Sequence, residues 1–200
     1  MTKTLNNRHG IVLKKYFPIK RKIVVLDKEF GKLEYVPMSE DICVGMLLEY
    51  RAEPARGGVT FMYNAEKMGL PLLLAQQDIL FFHHVLELCY YFLPEGAAVP
   101  ELFTLLEYLY TSECNTFTTR FKKLFLVKFF AIIGMYPEDS RFQKPFFFRL
   151  ATVSIDILVQ QNLDLGIERD LDAWLRNCIL MHPHHEKFKT VHFLEESRLA

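Results

Sequence analysis

Between residues 10 and 36 apolar side chains recur at every second position, Ile11 and Leu13 in one run, Ile23 and Val25 in the next, Leu33 and Tyr35 in a third. That period belongs to strands buried on one face. Phe17-Pro18 interrupts the first run, and Asp27-Lys28-Glu29-Phe30-Gly31-Lys32 predicts a hairpin connection in which Gly31 is free to adopt positive φ. Two further runs, Val44 to Tyr50 and Val59 to Tyr63, flank a loop containing Pro54 and Gly57-Gly58 and predict two more strands. Five short strands make a sheet too small to bury a face while it stays open. Closure into a barrel removes its edges, and the five-stranded OB-fold, a binder of oligonucleotides, is a common solution.

From Pro71 the period becomes helical. A first helix to Leu93 sets Ile79, Phe82, Leu86, Cys89 and Phe92 along one stripe, and Pro94-Glu95-Gly96 stops it. Pro100 opens a second helix carrying Leu102, Leu105, Leu106 and Leu109. Thr116 is the expected N-cap of a third, apolar nearly all round until Gly134 and Pro137, which suits the centre of a bundle. Two more helices are expected from about Gln143 to Asn162 and from Glu168 to Met181, with Gly166 between them. The predicted fold class is α+β: an N-terminal OB-fold barrel over residues 1–68, then an all-α domain over residues 69–200.

Charge changes the picture. The formal net charge is zero, yet residues 1–36 hold nine Lys/Arg against three acids, and the remaining 164 hold fifteen basic and twenty-one acidic side chains. A basic strand module can form a groove for phosphate backbones, with an affinity that falls steeply as salt rises. The competing reading of the same charges, of equal weight, is a solvated face with Lys guarding strand edges. Aromatic side chains are interleaved with them: Tyr16, Phe17, Phe30, Tyr35, Tyr50, Phe61 and Tyr63. A stacked base contributes about 1–3 kcal/mol, but a barrel this small also needs most of these rings for its core.

Catalytic chemistry is not written in the chain. No GxxxxGK[ST], GxGxxG or GxSxG occurs. His182, His184, His185 and His192 match no zinc spacing, and adjacent His83 and His84 point about 100° apart on a helix, so one is expected to be buried. Cys43, Cys89, Cys114 and Cys178 form no CxxC pair and are expected as reduced core residues. The longest apolar stretch, Leu124 to Met135, is broken by Lys128 and is far short of the roughly 18 residues that span a bilayer. A soluble, unexported, non-enzymatic chain without cofactor or metal is expected.

The order of these pieces resembles the bacterial recombination mediator RecO. Arg8-His9-Gly10-Ile11-Val12-Leu13-Lys14 is similar to that family's opening strand, and Ile23 to Leu33 to its second and third strands. Leu86-Glu87-Leu88, Pro94-Glu95-Gly96 and Pro100 to Leu106 resemble its first helical pair; Arg120 to Leu126 through Ile132 to Pro137 resembles its central helix and following turn. Phe188-Lys189-Thr190-Val191-His192-Phe193-Leu194 is similar to its closing tail. Departures are equally plain. Where many relatives carry a four-cysteine zinc site, Pro137 is followed by Glu138-Asp139-Ser140-Arg141, so no structural zinc is expected. The loop after the third strand, Pro37-Met38-Ser39-Glu40-Asp41, is acidic where relatives are basic, and Lys20-Arg21-Lys22 partly compensate.

The resemblance implies a DNA repair and recombination factor, cytoplasmic and nucleoid-associated. Such a factor binds single- and double-stranded DNA, anneals complementary strands, and helps load recombinase onto strands coated by single-strand-binding protein. Its implied partners are a RecR-like mediator and the acidic C-terminal tail of single-strand-binding protein. Candidate DNA-binding residues are Arg8, Lys14, Lys15, Lys20, Arg21, Lys22 and Lys32, with Tyr16 and Tyr35 as stacking rings. Arg120 and Lys123, three apart on one helix face, are candidates for the partner's carboxylates, joined by Lys189 in the closing tail. The competing expectation is a protein-interaction adaptor whose OB-like part has lost DNA binding.

Overall fold

The structure is a computed structural model that describes residues 7–16, 19–55, 57–112, 117–136, 149–150, 152–160 and 165–188. Strands β1 (Arg8–Lys15), β2 (Ile23–Asp27), β3 (Gly31–Pro37), β4 (Leu47–Pro54) and β5 (Thr60–Gly69) close a five-stranded barrel in the order β1-β2-β3-β5-β4, β4 returning to β1. All pairings are antiparallel except β3 with β5, a short parallel contact of Val36 with Phe61 and Pro37 with Met62. Val12, Ile23, Val25, Tyr35, Ile42, Leu48, Tyr50, Ala52 and Met62 fill the interior. The helices follow, giving the α+β arrangement.

Two of the predicted strands have other limits. Val44 to Met46 is a turn around Gly45, at φ 82°, and β4 starts at Leu47. β5 continues past Tyr63 because Glu66, Lys67 and Gly69 still pair with Glu49, Leu48 and Leu47, with Asn64 at φ 49° where the register shifts.

Register explains where the charges of β1 go. Val12 pairs with Val25 but Lys14 with Val24, so Leu13 is an extra residue in the ladder. A bulge of one residue reverses the faces that follow it. It turns Lys14 outward beside Val24 and leaves Lys15 on the inward side, at the barrel end, beside Ile23. The expected half-buried alternation fails for the same strands. Ile11, Leu13, Val24 and Leu26 face outward, yet none is more than 5% exposed. Each such burial is worth about 1.5–3 kcal/mol. Residues 86–110 share one compact unit with the barrel and reach its strands. Gly96 N–H donates to Lys32 O at 3.0 Å, the Lys28 ammonium reaches Glu107 at 3.3 Å, and Tyr110 O–H donates to Gly45 O at 3.0 Å. Gly31 is required here: it sits at φ 75°, and an added Cβ would lie 2.2 Å from the Ala97 carbonyl oxygen.

Helix α1 (Leu72–Phe92) contributes residues 86–92 to this unit, as does α2 (Pro100–Thr111), whose Leu102, Phe103, Leu105, Leu106 and Leu109 are buried. The second compact unit comprises residues 73–85 and 111–200. Its centre is α3 (Thr119–Ile132), where Phe121 and every side chain from Leu124 to Ala131 are buried, Lys128 included. The N-cap is Thr118, whose hydroxyl accepts from Phe121 N–H at 3.2 Å, two residues later than expected. Gly134 ends the helix at φ 82°. The Lys128 ammonium is satisfied by the carbonyls of Leu150 and Val153, at 3.0 and 2.7 Å.

α4 (Ile155–Gln160) and α5 (Leu165–Leu180) both pack on α3. Gly166 is therefore in the first turn of α5 rather than between helices, and α4 is much shorter than the expected helix, of which residues 143–148, 151 and 161–162 lie outside the described residues. The stripe expected on α1 fails at Ile79, which is 45% exposed. Asp78 is non-helical there (φ −156°, ψ 81°), and its carboxylate accepts from Phe81 N–H at 2.8 Å, capping the helix anew and shifting its phase. Asp78 also pairs with the half-buried Lys122. Of the adjacent histidines, His84 is buried and His83 exposed. Cys89 and Cys178 are buried free thiols, but Cys43 is exposed, lying in the open β3–β4 loop, and Cys114 lies outside the described residues.

Candidate nucleic-acid interface

The strands distribute the basic side chains into two groups with different surroundings. One group lies on the outer face of β1–β3. The Lys14 ammonium sits 4.2 Å from the ring centre of Tyr90 and 5.0 Å from that of Tyr16. The Lys32 ammonium donates to the Tyr90 carbonyl at 2.6 Å, and the Tyr16 and Tyr90 hydroxyls are 2.7 Å apart. Burial raises the Tyr90 phenol, but the hydrogen bond with Tyr16 and the two ammoniums outweigh it and leave it below its ordinary value. Burial and the same hydrogen bond raise Tyr16. Burial also lowers the Lys32 ammonium. Lys14, Lys32 and Tyr16 are thus engaged by Tyr90 within the barrel unit.

The second group surrounds the β1–β2 connection at the barrel end. Lys20 is exposed and makes no ion pair among the described residues. Arg21 pairs with Glu40 at 3.4 Å and Lys22 with Glu34 at 3.0 Å, both pairs open to solvent. Exposed pairs of this kind contribute about 0–1 kcal/mol, so these cations can exchange partners easily. The Lys15 ammonium donates to the carbonyls of Glu40 and Ile42, at 3.1 and 2.9 Å, and fastens the β3–β4 loop to the barrel.

One nominated residue, Tyr35, belongs to the core, and a second, Arg8, is tied to a core carboxylate. Tyr35 is 1% exposed, edge-on to Tyr50, and burial raises its phenol; no base can stack on it. Asp27, 2% exposed, organises the opposite end of the barrel, at the β2–β3 turn: it accepts from Tyr50 O–H at 2.5 Å and from the backbone N–H groups of Glu29 and Phe30 at 2.8 and 2.9 Å. Arg8 is drawn into the same arrangement, 4.0 Å over the Phe30 ring and 3.9 Å from the Asp27 carboxylate.

Sequence reasoning missed the residues that sort these cations. Tyr90, Glu34 and Glu40 are far from their partners along the chain. It also left Phe61 and Tyr63 unsorted among the aromatic residues. Because Met62 points into the barrel, they face outward together, half-buried, with ring centres 6.2 Å apart and Arg51 opposite Tyr63 on β4. Strand alternation was the signal that could have found them.

In the helical unit Lys123 pairs with Asp172 of α5 at 3.0 Å, and Arg120 is half-buried beside it in sequence. Lys189 lies outside the described residues. Among the described residues no group of three or more His, Cys, Asp or Glu converges as metal ligands would, and no helix is long and apolar enough to cross a membrane. No protein-family model matches this sequence, and no curated protein matches it.

Proposed function

We propose that this chain is a non-catalytic DNA-binding protein with an OB-fold barrel, acting as a RecO-like repair and recombination mediator. The observation that carries the reading is the closed strand order β1-β2-β3-β5-β4 with Lys20 and Arg21 exposed and Lys22 half-buried on the connection between the first two strands. OB-folds take oligonucleotides on the face of strands 2–3 and on the loops joining strands 1–2 and 4–5. The first of these loops is basic here, and the outward Phe61 and Tyr63 lie on the strand after the second. Annealing needs no catalytic residue. Cations that neutralise two phosphate chains lower their repulsion, and base pairing supplies the driving force. The order of helical motifs extends the reading to strand annealing, to recombinase loading in the bacterial nucleoid, and to binding a RecR-like mediator and the tail of single-strand-binding protein near Arg120.

A second reading, a protein-interaction adaptor, has its own observation: Lys14, Lys32 and Tyr16 are engaged by Tyr90, and Arg21 and Lys22 by acids. Fluorescence anisotropy of labelled single-stranded DNA over a salt series separates the two. The mediator reading expects binding that falls steeply with salt, and a slope about two to three units shallower in Lys20→Ala/Arg21→Ala/Lys22→Ala. Absence of binding at low salt selects the adaptor.

A further inference from the structure

The barrel end holds a pocket of about 170 Å³ lined by Lys15, Arg21, Lys22, Ile23, Pro37, Ser39 and Glu40. Its floor is apolar and rigid: Ile23 is 1% exposed, Pro37 is buried, and both belong to strands whose pairing closes the barrel. Its wall carries three cations and one hydroxyl. The loop that forms its far side is held in place by the Lys15 ammonium on the carbonyls of Glu40 and Ile42. That contact fixes the loop backbone while leaving the Glu40 side chain at the surface, where it is 73% exposed and 3.4 Å from Arg21. Small-molecule sites usually occupy about 300–1,000 Å³. This one is below that range and suits a single charged group rather than a whole nucleotide.

We propose that this pocket is a phosphodiester subsite for single-stranded DNA, with the Glu40 carboxylate as the built-in anion that the phosphate must displace. The inference rests on the DNA-binding reading above. A backbone phosphate and a carboxylate compete for the same guanidinium fork, and the exposed Arg21–Glu40 pair contributes little, so Glu40 swings out readily. Arg21 then receives the phosphate, Lys22 exchanges its exposed contact with Glu34, and Ser39 supplies a neutral donor. Glu40 sets the affinity and Arg21 the contact. The acidic loop that departs from the RecO pattern becomes a regulator of the site.

The test is anisotropy of a labelled oligothymidylate of about 16 nucleotides with wild type, Glu40→Gln, Arg21→Gln, the double variant, and Glu29→Gln as a remote charge control on the exposed β2–β3 turn. The expected result is a rise in affinity of about threefold to tenfold for Glu40→Gln, clearly above Glu29→Gln. Arg21→Gln lowers the salt slope by about one unit, and the Glu40 effect vanishes in the double variant. Inorganic phosphate at matched ionic strength displaces the oligonucleotide from wild type only weakly. Wild-type binding with equal effects of Glu40→Gln and Glu29→Gln, or an undiminished Glu40 effect without Arg21, overturns the subsite and leaves the DNA-binding reading standing. Displacement by millimolar phosphate with the variant pattern intact assigns the pocket to the free anion instead and also overturns it. No wild-type binding at low salt overturns both.

Discussion

Lys14 and Lys15 are neighbours in sequence, yet they serve opposite sides of the barrel. Lys14 lies on the covered face, over the Tyr90 ring, with Lys32 and Tyr16 beside it. Lys15 lies at the open end, where Arg21 and Lys22 meet only exposed acids. A basic segment is therefore not a basic surface. The covered cations are held by Tyr90, whereas Arg21 and Lys22 of the β1–β2 connection are held only by solvent-exposed acids. The single bulge at Leu13 makes this division, because without it Lys14 would point into the barrel.

The largest effect should come from breaking the covered face. Gly31→Ala forces a Cβ into the Ala97 carbonyl at a positive φ, and a loss of about 3 kcal/mol or more is expected in urea unfolding. A midpoint within about 0.5 kcal/mol of wild type would mean that residues 86–110 do not rest on β3 as described.

Next in size is a pH effect confined to the helical unit. Burial lowers the His84 imidazole to about 4, below the value of about 6.5 that it has in the unfolded chain. The folded state holds His84 neutral, so stability is full above the unfolded value and is lost as pH falls through 6.5 toward 4. Between pH 7 and pH 5 the loss from this group should reach about 2 kcal/mol. His84→Leu should remove that increment, measured as the difference between the two proteins' urea midpoints at each pH; parallel pH profiles would contradict the assignment.

A smaller change sharpens the comparison directly. Tyr90→Ala removes the ring and hydroxyl that hold Lys14 and Tyr16. It should lower stability by about 1–2 kcal/mol while raising affinity for single-stranded DNA up to about threefold, as covered cations become available. Unchanged or weaker DNA binding would show that the covered group contributes nothing even when released.

Much of this was legible in the chain. Alternation located three strands, Gly31 marked the turn, and the nearly unbroken apolar run from Phe121 marked the buried central helix. What was not legible depended on partners distant in sequence. Tyr35 read as a surface ring because alternation gives two faces without saying which is inside, and its contact with Tyr50 decided that. Ile11 and Val24 looked like one-sided strand residues, yet their outward side chains are buried, and residues beyond 85 belong to the same compact unit. The Asp78 kink was hidden as well, since a capping aspartate inside a helical pattern has the same spacing as a solvated one.

One paired measurement separates the cations held on the covered face from those of the β1–β2 connection. Lys14→Gln/Lys32→Gln and Lys20→Gln/Arg21→Gln remove the same charge and should be compared for thermal midpoint and for the salt dependence of binding to labelled single-stranded DNA. The first pair should lower the midpoint by several degrees, for a loss of about 1–2 kcal/mol, with the salt slope unchanged. The second pair should lower the slope by about two units with the midpoint unchanged. Equal slopes for the two variants would contradict it.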